Sequence, residues 1–228
     1  MVELLLRSTL VCALAAMSLW ALRRRSAAVR HAVAIAGLGA ILALPFLGWV
    51  MPPLELRVLP PATDVHAVVK IRTSSRLGAE SSPAPSPVAA EERTTLSPLL
   101  IWPLGALLLL CRWIYGIGRV RSRLRQGDTI DGLDTPYRVV ASDLSQTPLV
   151  AWSPRPTIVL PLDWQTWNAP RLEVVLRHEE AHIRRGDGGS MLLSRLALAA
   201  AWINPLVWLL ARVESRLAEQ AADDLVLA

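Results

Sequence analysis

The sequence lacks several features that would identify other classes of protein. Only two of its 228 residues are cysteines, and both Cys12 and Cys111 lie inside apolar runs, which argues against a disulfide framework and a cysteine metal site. The net charge is +5, but no helix-turn-helix or zinc-finger spacing accompanies it, which argues against direct nucleic-acid binding. No basic segment precedes the first apolar run, so a cleaved signal peptide is not expected.

Long apolar runs are what the sequence does contain. Hydrophobic residues make up 53% of the chain and are concentrated in residues 4–22, 32–50 and 96–117. A helix of about 20 apolar residues is long enough to cross the hydrocarbon core of a bilayer. The sequence therefore predicts a polytopic α-helical membrane protein with three transmembrane helices.

Arginines next to these runs predict the orientation of the helices. Residues 23–30 contain four arginines, and residues 119–125 contain another four. Basic loops face the cytoplasm under the positive-inside rule and contact anionic lipid. We therefore expect the N-terminus outside, an outer loop at residues 51–95, and a cytoplasmic domain at residues 118–228, all in a bacterial inner membrane.

The cytoplasmic region predicts short strands followed by a helix. Residues 137–141 and Thr157–Leu160 are rich in the side chains that strands favour. Pro156 and Pro161 bracket the second of these strands, and proline is confined to edge strands and strand ends, so we expect an edge strand there. A proline just before residues 171–183 predicts the start of a helix.

This predicted helix carries the sequence His178-Glu-Glu-Ala-His182. Residues four apart lie on one face of a helix, so both imidazoles can point at one ion. Imidazole nitrogen suits zinc, and two such ligands leave room for a third ligand and a water molecule. Glu179 lies beside the first histidine, where it can accept a proton from that water. The alternative is an ordinary charged helix face exposed to solvent.

The third ligand must come from elsewhere in the chain. His31 is predicted in the inner basic loop and His66 in the outer loop, so neither can reach the site. Glu219 and Asp223 are four residues apart on a predicted helix and face the same way. A glutamate ligand, with an aspartate supporting a ligating histidine, is a recurrent arrangement. An exposed acidic helix face explains the same two residues equally well.

A further apolar run, residues 191–210, separates the two histidines from Glu219. A single crossing would leave Glu219 about 30 Å from the histidines, and the site could not form. Arginines on both sides of the run favour two cytoplasmic ends. Asn204-Pro205 interrupts a continuous helix, because proline removes a backbone donor and disfavours helix just before it. We therefore expect a bent, membrane-associated helical hairpin.

Four linked segments in the second half of the chain have a familiar order. They are PLVAWSPRPTIVLP at residues 148–161, HEEAHIRRGD at 178–187, NPLVW at 204–208 and EQAADD at 219–224. Through these segments the chain resembles the BlaR/MecR-type membrane metallopeptidases, which are sensor-transducers of β-lactam resistance. The three predicted spans and the outside N-terminus also fit this family.

The resemblance implies a zinc-dependent metalloendopeptidase with a cytoplasmic, α+β, zincin-like domain. Carried over by position, it implies zinc ligands His178, His182 and Glu219, general base Glu179, and Asp223 in support. It implies that substrate backbone pairs with the predicted edge strand. In the family, signalling ends in proteolysis, which includes self-cleavage and inactivation of a cytoplasmic DNA-binding repressor.

The resemblance is incomplete at the C-terminal end. Family members usually continue further, whereas this chain stops at Ala228, and we find no penicillin-binding sensor domain in it. The alternative interpretation is therefore a truncated, catalytically inactive member that acts as a membrane signalling or partner-binding scaffold. A small transporter is a weaker option, because the ionisable cluster falls outside the predicted spans, whereas transport sites lie near the bilayer midplane.

Overall fold

The protein consists of three long helices, a small sheet and three further helices. The computed structural model describes residues 2–50, 98–152 and 155–227; the predicted outer loop and His66 lie outside these residues. The helices are α1 (Val2–Ala21), α2 (Ala27–Val50), α3 (Pro98–Gln126), α4 (Ala169–Arg185), α5 (Asp187–Ala200) and α6 (Pro205–Leu227). The strands are β1 (Asp128–Ile130), β2 (Arg138–Ala141), β3 (Leu149–Ala151) and β4 (Thr157–Leu160), and a 3-10 helix covers Leu162–Thr166.

Helices α1, α2 and α3 are the three in the described part of the chain that are long and apolar enough to cross a membrane. They coincide with the three predicted runs, but two boundaries differ. Helix α2 begins at Ala27, before the apolar run, and α3 continues past residue 117 to Gln126. Alanine and arginine are good helix formers, so each helix extends beyond its apolar part. The placement of His31 in a loop is therefore wrong, since the residue lies in α2.

The run at residues 191–210 is divided between α5 and α6. The helices are separated at residues 201–204, and Pro205 is the first residue of α6. The Asn204 side chain accepts a hydrogen bond from the Leu206 backbone N–H at 3.0 Å. Its amide group donates to the hydroxyls of Ser8, at 2.8 Å, and Thr9, at 3.1 Å, in α1. These contacts fix the turn against α1, and the later part of α6 packs against α4.

The core of the helical part is formed by α1, α2, α5 and α6. Leu38 and Ile41 of α2 are fully buried in it, as is Val207 of α6. Cys12 of α1 belongs to the same apolar cluster, in accordance with its prediction as an apolar filler. The pair α5 and α6 is thus held by apolar contacts with the two N-terminal helices.

The sheet has the strand order β1-β2-β4-β3. Strand β4 pairs in parallel with β2 and antiparallel with β3, so it is a central strand. One face of the sheet packs against Leu124 near the end of α3, and the other against Leu176 of α4. All four residues of β4 are buried.

The prediction of Thr157–Leu160 as an edge strand is wrong. Pro156 and Pro161 lie just outside the strand, so they remove no donor from within it and both of its sides can pair. The edge at this side of the sheet is β3. The arrangement of three apolar helices and a small sheet among helices agrees with the predicted membrane protein that carries an α+β domain.

Candidate metal centre

Helix α4 is defined by caps at both ends. The Asn168 side chain accepts a hydrogen bond from the Arg171 backbone N–H at 3.0 Å, and Pro170 occupies the first turn. At the other end, Gly186 has a φ of 73°, a left-handed conformation that glycine adopts without steric cost. The chain turns at Gly186 and α5 begins at once with Asp187. This tight turn brings Asp187 back towards the helix that precedes it.

The structure brings His178, His182 and Glu219 together. The two histidines are one turn apart on α4, and their Nε2 atoms are 3.1 Å from each other. Glu219 reaches them from α6, and its Oε2 lies 3.5 Å from each Nε2. One ligand atom from each of the three residues lies within 4.8 Å of the others, so the group could hold a metal ion.

Each histidine is also held by a carboxylate at its other ring nitrogen. The Nδ1 of His178 is 3.0 Å from Oδ1 of Asp223, and the Nδ1 of His182 is 2.7 Å from Oδ2 of Asp187. A carboxylate only accepts hydrogen bonds, so Nδ1 of His182 donates to Asp187, and the Asp223 carboxylate at ion-pair distance favours a proton on Nδ1 of His178 as well. In the neutral histidines, both Nε2 atoms are then left with lone pairs that face the shared centre.

Sequence reasoning included Asp223 and missed Asp187. Asp223 lies four residues after Glu219, so helical spacing places it on the same face of α6 as Glu219. Asp187 lies five residues after His182 and belongs to another helix, so no helical spacing pairs the two. The signal that could have found it is Gly186, a residue typical of helix ends, which marks where the chain folds back.

Three of the acidic and basic groups at this centre have shifted pKa values. Burial raises the pKa of Glu179, against the opposing pull of the two histidines. The hydrogen bond to Asp187 raises the pKa of His182, although burial opposes it. Burial acts to raise the pKa of Asp187, but the hydrogen bonds from His182 and Arg185 outweigh it, and the net shift is downward. The pKa of each of these groups therefore depends on the charges of its neighbours in the centre.

A cleft with a volume of about 740 Å³ adjoins these residues. Edge strand β3 contributes Leu149 and Val150 to one wall, and Trp152 follows directly after the strand. Helices α5 and α6 also line the cleft, with residues that include Arg195 and Trp208. The cleft thus places an unpaired strand edge, within the described residues, beside a buried carboxylate and two histidines.

Comparisons with known proteins assign the chain to a peptidase family. A model of the BlaR1 peptidase M56 family matches residues 4–228. The chain is also 28% identical to the Regulatory protein BlaR1 of Bacillus licheniformis over 142 aligned positions, which cover 56% of this chain and 24% of that protein. The chain thus aligns with about a quarter of that relative's length. Because the family match extends over almost all of the sequence, the chain belongs to the BlaR1 peptidase M56 family.

Proposed function

We propose that the chain is a zinc-dependent membrane metalloendopeptidase of the HExxH plus Glu type, with His178, His182 and Glu219 as ligands. The observation that carries this proposal is the triangle of facing atoms, with sides of 3.1, 3.5 and 3.5 Å. Atoms bound tetrahedrally at about 2.0–2.1 Å from zinc lie about 3.3–3.4 Å from one another. The triangle therefore fits a zinc ion with a fourth position left for water or substrate.

The residues around the triangle fit the chemistry of peptide hydrolysis. A bound zinc ion would polarise the scissile carbonyl and lower the pKa of a water molecule. Glu179 accepts the proton of the attacking water and donates it to the amine as the C–N bond breaks. Burial raises the pKa of Glu179, which makes its carboxylate a stronger base for the first of these steps. Asp187 and Asp223 keep the two imidazoles oriented.

Strand β3 is the element on which an extended substrate would pair. It is an edge strand that borders the cleft, whereas β4 already pairs on both sides. Edge strands bind extended peptides through main-chain hydrogen bonds, with side chains entering alternate pockets. We therefore assign to β3 the role that the sequence assigned to β4, and we expect an unfolded or extended segment of a protein as the substrate.

The position of the sheet supports a cytoplasmic substrate. The sheet packs against Leu124, within the arginine-rich end of α3. The positive-inside rule assigns that end to the cytoplasm of a cell whose inner membrane holds α1, α2 and α3. In the same arrangement the region of residues 191–210 is a hairpin at the membrane face of the domain. The family and the similarity to a regulatory protein support a membrane peptidase that acts as a signal transducer. As its substrate we propose a cytoplasmic protein, such as a DNA-binding repressor, with self-cleavage as a further reaction.

The experiment that tests the proposal is a measurement of zinc per chain. Detergent-purified protein is analysed by elemental mass spectrometry, beside the variants Glu219→Ala and Asp224→Ala. Asp224 is exposed on the same helix and outside the ligand group, so it serves as the matched control. We expect about one zinc ion per chain in the wild type and the control, and a clear loss in Glu219→Ala.

A folded wild type without zinc would contradict the proposal. The chain would then be better described as a non-catalytic scaffold that retains the architecture of a peptidase. Zinc retained in Glu219→Ala would contradict only the assignment of the third ligand, because two histidines alone would have to hold the ion.

A further inference from the structure

A chain of buried polar contacts connects α2 with the metal centre. His31 lies near the start of α2, and its side chain is 7% exposed. Its Nε2 is 3.0 Å from Oε1 of Glu214 in α6, and its Nδ1 is 3.0 Å from Nη2 of Arg185 at the end of α4. His31 thus contacts two helices that also supply the metal-binding residues.

The two partners of His31 fix its hydrogen-bonding roles. A guanidinium group only donates, so Nδ1 of His31 accepts from Arg185. The ring must then carry its proton on Nε2 and donate it to the Glu214 carboxylate. The other oxygen of Glu214 accepts from the Ser194 hydroxyl of α5 at 2.9 Å. One neutral tautomer of His31 therefore satisfies both neighbours.

Arg185 links His31 to the metal centre through hydrogen bonds. Its Nε donates to the two carboxylate oxygens of Asp187, at 3.3 and 3.2 Å. Asp187 in turn accepts from Nδ1 of His182 at 2.7 Å. The side chains of Arg185 and Asp187 are 13% and 9% exposed, so little solvent competes for these contacts. An unbroken series of hydrogen bonds thus leads from α2 to one of the three proposed ligands.

We propose that His31 is a positioning residue for the metal centre, acting through the side chains of Arg185 and Asp187. This inference rests on the proposed zinc site. Oδ2 of Asp187 accepts from both His182 and Arg185, and Oδ1 accepts from Arg185, so the orientation of the carboxylate depends on the guanidinium. The guanidinium has a fixed position only while His31 accepts from its other end.

Packing alone does not account for a polar group at this place. Ala34, Leu38 and Ile41 already supply α2 with fully buried apolar contacts. Buried polar or ionic clusters contribute little net stability compared with apolar side chains of the same volume. A histidine whose two nitrogens both have defined partners is therefore better explained by the alignment that it imposes on Arg185.

The test measures zinc affinity in the full chain, purified in detergent, by competition with a chromophoric chelator. His31→Ala removes both contacts. His31→Gln retains them in principle, because one amide offers an acceptor to Arg185 and a donor to Glu214. Leu38→Ala is the control, since it weakens the packing of α2 without touching the polar series. The visible spectrum of the Co²⁺-substituted protein reports ligand geometry independently of activity.

Loss of a group that orients a metal ligand typically costs about 10- to 100-fold in affinity, and His31 acts two residues further out, through Arg185 and Asp187. We therefore expect about tenfold weaker zinc binding and an altered Co²⁺ spectrum in His31→Ala, with near wild-type values in His31→Gln. Leu38→Ala should lower thermal stability and leave zinc affinity unchanged. Arg185→Lys retains the charge but cannot contact His31 and Asp187 at once, so it should weaken binding as His31→Ala does.

Wild-type affinity in both His31→Ala and Arg185→Lys would overturn the inference while leaving the zinc site intact. A loss in Leu38→Ala equal to that in His31→Ala would also overturn it, because general loosening of α2 would then explain both. If the wild type itself binds no zinc, the proposed function and the inference fail together.

Discussion

Oδ2 of Asp187 lies 2.7 Å from Nδ1 of His182, although the two residues belong to different helices. The two residues are only five positions apart, but the turn at Gly186 separates their helices. The i, i+3 or i, i+4 spacing of a single helix therefore does not predict the contact. Asp187 contacts His182 at the ring nitrogen that faces away from the proposed ion, and Asp223 contacts His178 in the same way. Asp187 is therefore expected to matter for metal binding without touching the ion.

Substitution of Asp187 by alanine should weaken zinc binding by about 10- to 100-fold, because the imidazole of His182 loses the group that fixes its orientation. Chelator competition measures this affinity. Asp224→Ala, which removes an exposed carboxylate near the same centre, should have no comparable effect. Equal affinity in Asp187→Ala and the wild type would show that the hydrogen bond is dispensable for metal binding.

The same pair should make the stability of the metal-free protein depend on pH. His182 has a raised pKa, so its contribution is complete below its unfolded pKa of about 6.5 and is lost as the pH rises through the raised value. Asp187 has a lowered pKa, so its contribution is complete above its unfolded pKa of about 3.9 and is lost as the pH falls through the lowered value. The pair should therefore stabilise most between about pH 4 and 6.5.

Thermal unfolding of the metal-free protein in detergent, followed from about pH 6 to pH 9, checks this dependence. We expect the Tm of the wild type to fall over that range more steeply than the Tm of Asp187→Ala. Parallel curves for the two proteins would assign the pH dependence to other groups. Zinc binding should strengthen with rising pH, because the ion must displace the proton from His182.

Substitution of Glu179 by glutamine should abolish proteolysis and leave zinc bound. The amide cannot accept the proton of the attacking water, and loss of a general base typically reduces the rate by about 10²- to 10⁴-fold. Cleavage of a model protein in detergent and zinc per chain are measured on the same sample. Glu180→Gln changes the next residue in the same way and should remain active. Full activity in Glu179→Gln would require a different base.

Gly188 and Gly189 offer a matched pair of substitutions in α5. A methyl group at Gly188 would overlap the indole of Trp152, which lines the cleft, whereas a methyl group at Gly189 meets nothing within 4 Å. Gly189→Ala should stabilise α5 by about 0.5–1 kcal/mol, because alanine is the better helix former. Gly188→Ala should displace Trp152 and raise KM for a protein substrate. Tryptophan fluorescence and peptide cleavage compare the two, and identical behaviour would argue against a role of Trp152 in the cleft.

The parts of the centre that sequence could predict are those that repeat with helical period. His178 and His182 share a face of α4, and Glu219 and Asp223 share a face of α6, so their spacing alone pairs them. The break at Asn204-Pro205 follows from the chemistry of proline in the same local way. Apolar length likewise predicts the three N-terminal helices.

What sequence could not predict are contacts made by folding. His31 meets Glu214 only because α2 and α6 pack side by side, and a hydropathy pattern places His31 in a loop because the second apolar run begins only at residue 32. The flanking prolines of β4 predict an edge strand, but pairing depends on residues within the strand, and β4 pairs on both sides. In both cases the local sequence predicts one environment, whereas tertiary contacts determine the actual one.

The proposed metal ligands are divided between α4 and α6, and this division implies an order of assembly. His178 and His182 leave the ribosome before α5, while Glu219 follows only after the turn that Asn204 fixes against α1. Glu219 therefore reaches the two histidines only after α5 and α6 have packed against the N-terminal helices. A nascent or misinserted chain holds an incomplete centre, so hydrolytic capacity would appear only in molecules whose helical bundle is already assembled.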